Sequence, residues 1–105
     1  MGVRYLVVLA TSLVFAGNAL AENGEALAKD YNCMTCHALD KKTFGPSFRE
    51  IAVKYKGNKG AQTTLEKKVR SGGAGAWGKI PMPATAMSVS DGDIKNVVQW
   101  ILSLK

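Results

Sequence analysis

The sequence predicts an all-α fold of three or four short helices, and three observations predict it. Apolar residues recur at helical spacing, three, four and seven apart, in four separate segments. No segment shows the strict apolar–polar alternation of a half-buried strand. The third observation is the span SGGAGAWGKIPMPATAMS, which is too rich in Gly and Pro for regular structure. A loop of roughly twenty residues in a small domain is unusual without something to wrap around.

The elements follow in chain order. Residues 1–21, MGVRYLVVLATSLVFAGNALA, begin with a single cation at Arg4 and continue through an apolar run to Phe15. They end on Ala19-Leu20-Ala21, the order of a secretory signal peptide cut after Ala21. A membrane anchor needs about 20 continuous apolar residues, and Thr11, Ser12, Gly17 and Asn18 interrupt this stretch. Removing 21 of 105 residues leaves 84, Glu22 to Lys105, enough for one domain with a modest core.

Within that domain, Asn23 to Asn32 is rich in helix formers and carries Leu27 and Tyr31 on one face. KKTFGPSF follows as a loop with Gly45-Pro46 at its corner. Phe48 to Lys56 reads as a second helix, presenting Phe48, Ile51, Ala52 and Tyr55, and GNKG breaks it. Ala61 to Arg70 gives a third, with Leu65 and Val69 aligned. Ser90, with Asp93 three residues on, caps a last helix whose apolar face is Ile94, Val97, Val98, Ile101 and Leu102.

Charge and composition exclude several functions. Without Arg4 the chain holds 13 Lys and Arg against 8 Asp and Glu, a formal +5. The lysines are scattered, which suits a solvated surface or a field that steers acidic partners. Neither a nucleic-acid motif nor basic residues interleaved with aromatics is present. GAGAWG, Gly73 to Gly78, formally matches G-x-G-x-x-G. With no strand before it and no helix after it, it fails the dinucleotide condition. Its glycines suit tight turns and close approach to a flat ligand.

CMTCH, residues 33–37, holds both cysteines and the sole histidine of the chain. A disulfide closing so short a loop would hardly restrict the unfolded chain. A thioredoxin-like site needs a βαβ setting that this sequence lacks. A structural zinc site needs four ligands, and carboxylates would have to complete the set, an atypical arrangement. C-x-x-C-H is the attachment motif of c-type haem: two thiols across one turn reach two vinyl groups, and the adjacent imidazole reaches the iron. Attachment of this kind takes place outside the cytoplasm, in agreement with export. The reading favours one covalent haem c, held by Cys33 and Cys36, with His37 on the iron.

The iron then needs a second ligand or keeps an open site, and no second histidine exists. Met1 leaves with the leader, and Met34 sits inside the attachment motif. Met82 is preferred to Met87. In IPMP, Pro81 and Pro83 fix its backbone and Ile80 adds apolar cover, and Pro-Met-Pro in a long loop is a poor device for filling a core.

These motifs resemble those of class I monohaem cytochromes c, the small bacterial periplasmic c-551/c-552 type. CMTCH, FGPSF, AWGKIPMPA and QWILSLK carry the resemblance, which spans the whole of residues 22–105. It implies three to five short helices wrapped around the haem, with the N- and C-terminal helices crossing. Cys33 and Cys36 resemble the thioether attachments, and His37 and Met82 the axial pair. Pro46 resembles the residue whose carbonyl accepts the histidine Nδ1–H. Trp77 matches a tryptophan that points its indole N–H at a haem propionate, although a plain packing role suits it equally. Lys68 falls where relatives can carry a cation near the propionates. Thr85 stands where relatives often place an amide near the methionine sulfur, and the stretch after the ligand is slightly longer than usual.

The implied function is a soluble, monomeric, periplasmic carrier of single electrons in a respiratory chain, with no catalytic residue and hence no enzyme. Its donor would be a membrane complex of the bc type, its acceptor a terminal oxidase, nitrite reductase or peroxidase. Lys29, Lys41, Lys42 and Lys79 would ring the exposed haem edge and meet acidic docking surfaces. An open-site haem protein and a fixed relay subunit of a larger oxidoreductase are the rival readings.

Overall fold

Four helices wrap the chain around one apolar cluster, and the computed structural model describes them within Gly2 and residues 16–105. The order is α1 (Ala16–Asp30), a single 3₁₀ turn (Cys33–Thr35), α2 (Phe48–Lys54), α3 (Ala61–Ser71) and α4 (Asp91–Ser103). No strand forms among the described residues, and a lone antiparallel bridge joins Gly73 to Met82. The all-α expectation holds. Most of the leader lies outside the described residues, and α1 begins before the predicted cut and ends two residues earlier than the sequence suggested. Among the described residues no helix is long and apolar enough to cross a membrane.

The first and last helices form the spine. α4 packs against α1, α3 and α2, with α1 its largest partner. Gly24 makes that closeness possible: a Cβ there would lie 2.3 Å from Trp100 Cβ and 2.5 Å from the Asn96 carbonyl. Trp100 itself is buried, though the predicted stripe of α4 omitted it; Ile94, Val97, Val98 and Ile101 are buried as expected. α2 contributes Phe48, Ile51 and Ala52, and α3 contributes Leu65. Leu27, Tyr55, Val69 and Leu102 are partly buried against this cluster.

Local chemistry sets the helix ends. Ser90 Oγ accepts from the Asp93 amide at 3.1 Å, satisfying one of the free N–H groups that begin α4. Asp91 and Asp93 place negative charge in the same first turn, where the helix dipole favours it. Ser47 and Glu50 make a full capping box for α2: the Glu50 amide donates to Ser47 Oγ at 3.1 Å and the Ser47 amide to Glu50 Oε2 at 3.2 Å. The Tyr31 hydroxyl, exposed just after α1, donates to Asp93 at 2.5 Å and so ties the spine at one end.

Candidate functional site

The cysteine motif occupies a sharp turn. Asn32 takes φ 62°, a left-handed conformation that Asn tolerates better than most residues, and reverses the chain out of α1. Residues 33–35 then form the 3₁₀ turn, with the Cys36 and His37 amides both donating to the Cys33 carbonyl, at 3.3 and 3.0 Å. Cys33 and Cys36 are free thiols, both half-buried, on this turn. Burial pushes the Cys33 thiol above its usual range. The attacking cysteine of a dithiol redox site is normally shifted the other way, so the disulfide-exchange reading loses support.

His37 is the most closely held residue of the site. Its Nδ1 lies 2.7 Å from the Pro46 carbonyl oxygen. A carbonyl can only accept, so Nδ1 carries the proton and Nε2 keeps its lone pair for a metal. The ring stacks on buried Phe48 with centroids 5.3 Å apart and planes 28° from parallel. On another side is Gly45, where a Cβ would come within 2.7 Å of His37 Cε1 and 2.9 Å of Nδ1. The segment that provides this cradle is pinned in turn: the Gly45 amide donates to the Cys36 carbonyl at 2.8 Å and the Phe48 amide to the Ala38 carbonyl at 2.9 Å. Pro46, Ser47 and Phe48 are buried.

Met82 is fixed by other means. Its amide and carbonyl exchange two 2.9 Å hydrogen bonds with Gly73, which gives a stretch without strands one point of strand-like pairing. Gly72 lets the chain enter that bridge with φ 66°, and a Cβ there would meet the Met82 carbonyl at 2.3 Å. Met82 is half-buried, while Met87 is 84% exposed. A thioether that binds iron needs a fixed, dry position, and Met82 has the firmer one.

The neighbouring positions resolve differently. Trp77, 39% exposed, lies under the Lys54 ammonium, 4.3 Å from the ring centroid, and the same ammonium donates to the Ala76 carbonyl at 3.1 Å. Sequence reasoning missed Lys54 because it is remote in the chain and carries no motif. Thr85 takes over a backbone role: its hydroxyl donates to the Val69 carbonyl at 2.7 Å, tying the loop to α3. Lys68 is half-buried near Gly73, Lys29 pairs with Glu25 at 3.6 Å, and Lys41, Lys42 and Lys79 are exposed.

The donor set fits a covalent haem better than a bare metal. Two thiols share one turn, an imidazole nitrogen is left free by its own hydrogen bond, and a thioether sits in a loop fixed by its bridge to Gly73. No group of three His, Cys, Asp or Glu among the described residues converges as a metal site would need.

The cytochrome c family model matches residues 21–105. The chain belongs to the cytochrome c family. Its relatives place it with the small bacterial c-551/c-552 type. It is 41% identical to cytochrome c-551 of Pseudomonas aeruginosa over 100 residues, 95% of this chain and 94% of that protein. It is 45% identical to cytochrome c-551 of Azotobacter vinelandii over 84 residues, 80% of this chain and the whole of that protein. The crystal structure of Nitrosomonas europaea cytochrome c552 superposes with a TM-score of 0.73 at 44% identity, covering 77% of this chain and 99% of that one. As a cytochrome c of this type the chain carries covalent haem c and is an electron carrier that works with other electron-transfer proteins, not an enzyme.

Proposed function

We propose that this cytochrome c is a soluble shuttle that carries single electrons between respiratory complexes, with its iron closed on both sides by His37 Nε2 and the Met82 sulfur. Cys33 and Cys36 hold the haem by thioethers, Pro46 orients the imidazole, and Trp77 turns its indole N–H toward a haem propionate. Haem c, when bound, supplies reversible one-electron exchange at its iron. The chain's part is to keep the ligands in place through both oxidation states, and the observation that carries the reading is the 2.7 Å contact from His37 Nδ1 to the Pro46 carbonyl. Anchored so, and backed by Gly45 and Phe48, the imidazole has little freedom to swing away. A thioether on the other side favours the ferrous state and raises the potential.

Residues 1–21 act as an export leader removed after Ala21, and the mature carrier is a periplasmic monomer. The match to the whole of the Azotobacter protein spans 84 residues, the same length as Glu22 to Lys105. After cleavage α1 starts at Glu22. Exposed Lys41, Lys42 and Lys79 attract the acidic docking surfaces of donor and acceptor complexes, a bc-type complex on one side and an oxidase, nitrite reductase or peroxidase on the other. Electron transfer to such a partner then slows as salt is added.

The optical spectrum of the oxidised protein tests the axial pair. A weak sulfur-to-iron charge-transfer band at the red end, with no carbon monoxide uptake by the ferrous form at neutral pH, is the expected result. Carbon monoxide binding would overturn closure of the iron by Met82.

A further inference from the structure

The segment from Pro83 to Ser88 has little to hold it by burial. Pro83, Ala84, Ala86, Met87 and Ser88 are exposed, Thr85 is half-buried, and the core is regained at Val89. Yet this segment follows Met82 directly and must return the chain to α4. Polar contacts to the end of α3 hold it: Thr85 bonds to the Val69 carbonyl, and the rest converge on Arg70. Arg70 Nη1 donates to the Ala86 carbonyl at 3.0 Å, and Nη2 donates to the Val89 carbonyl at 2.7 Å and to Asp91 Oδ1 at 2.7 Å. Its backbone belongs to the same attachment, because the Thr85 amide lies 3.3 Å from both the Val69 and Arg70 carbonyls.

We propose that Arg70 is the positioning residue of the Met82 loop, a guanidinium clamp that fastens residues 83–91 to α3 and thereby keeps Met82 in register with Gly73. The inference rests on the reading of Met82 as the iron's sulfur ligand. The chemistry calls for arginine: a rigid fork reaches three acceptors on two segments at once, which the single ammonium of lysine cannot reproduce. The contacts are unequal. Asp91 is 95% exposed, so its ion pair adds little. The two carbonyl bonds come from an Arg70 side chain that is 21% exposed, and these charge-assisted bonds carry most of the holding. With them gone, the loop retains the Thr85 contacts and the Gly73 bridge, and Met82 is free to leave more often.

The test uses the haem-loaded protein with Arg70→Met, Arg70→Lys and Asp91→Asn, and Ile101→Val as a core control matched by denaturation midpoint. Two readouts are followed: the rate at which imidazole enters the sixth position, and amide exchange at Gly73 and Met82. Arg70→Met is expected to raise imidazole entry about tenfold, as the loss of charge-assisted bonds implies. Gly73 and Met82 amides should exchange faster while those of α1 and α4 hold. Arg70→Lys should recover part of the loss, and Asp91→Asn should stay within about twofold of the parent. Imidazole entry no faster in Arg70→Met than in the core control, or unchanged exchange at Gly73 and Met82, overturns the clamp. A parent protein without the sulfur-to-iron band overturns the Met82 reading instead, and the amide exchange still decides whether Arg70 fastens the loop.

Discussion

The two sides of the site are built to different standards. On the histidine side the half-buried His37 rests on the core: Phe48 stacks beneath it, Trp100 meets Phe48 edge-on at 5.1 Å, and Pro46, Ser47 and Phe48 are buried. On the methionine side residues 73–81 are exposed, and the loop is held by the Gly73 bridge, the Thr85 contacts, Lys54 and Arg70. A segment held by a few exposed hydrogen bonds opens at lower free energy than one held by burial. If His37 and Met82 ligate the iron as proposed, the histidine should leave only when the protein unfolds, whereas the methionine should detach by a local opening. On that proposal, the methionine loop is the side that decides how well the iron is closed to other ligands.

Removing the histidine side's support should have the largest effect. Phe48→Ala empties a fully buried ring site beneath both His37 and Trp100 and should cost about 3–5 kcal/mol, measured as the shift in denaturation midpoint. The sulfur-to-iron band and the global transition should then be lost together. The two glycines probe one side each. Gly72→Ala combines φ 66° with a Cβ 2.3 Å from the Met82 carbonyl, and should weaken the band well before the helices melt in denaturant. Gly45→Ala pushes a methyl against the imidazole at 2.7 Å. Its cost of about 1–3 kcal/mol should appear in the global transition and in the NMR shifts of His37. If both glycine variants lose the band and the fold in one step, the two sides are not separately stable.

Smaller changes sharpen the contrast. Thr85→Val removes the 2.7 Å bond to the Val69 carbonyl and should cost about 1 kcal/mol, read as faster amide exchange confined to the loop. The mildest effect lies at the far end of the spine. Tyr31 is raised above its ordinary value of 10.0, first by its hydrogen bond to Asp93. The folded state thus favours the protonated phenol. That contribution is fully present below pH 10 and fades as pH rises from there through the raised folded value. A stability profile measured from pH 8 to 12 should bend down at its alkaline end, and Tyr31→Phe should flatten that component.

Much of this was legible from residue order. Leu65 and the α4 stripe Ile94, Val97, Val98 and Ile101 are buried where helical periodicity put them, because each helix must hide one face whatever its partner. CMTCH revealed its chemistry because neighbouring residues in one turn are close in any fold. Trp100 was missed, since its burial depends on the space that Gly24 leaves on another helix. Ser47 and Glu50 were read as loop and helix rather than as a reciprocal cap. Lys54 and Arg70 belong to no motif, and nothing in their own segments tells that they reach carbonyls of the loop.

By itself, then, the sequence determined the helices and the pair of cysteines beside a histidine, both consequences of contacts within a few residues. The tertiary structure alone decided which tautomer His37 adopts, where Met82 is pinned and what holds its loop. Those outcomes depend on a carbonyl nine residues away, a glycine partner across a loop and a guanidinium reaching 16 to 21 residues along the chain. Such groups meet only in the folded chain.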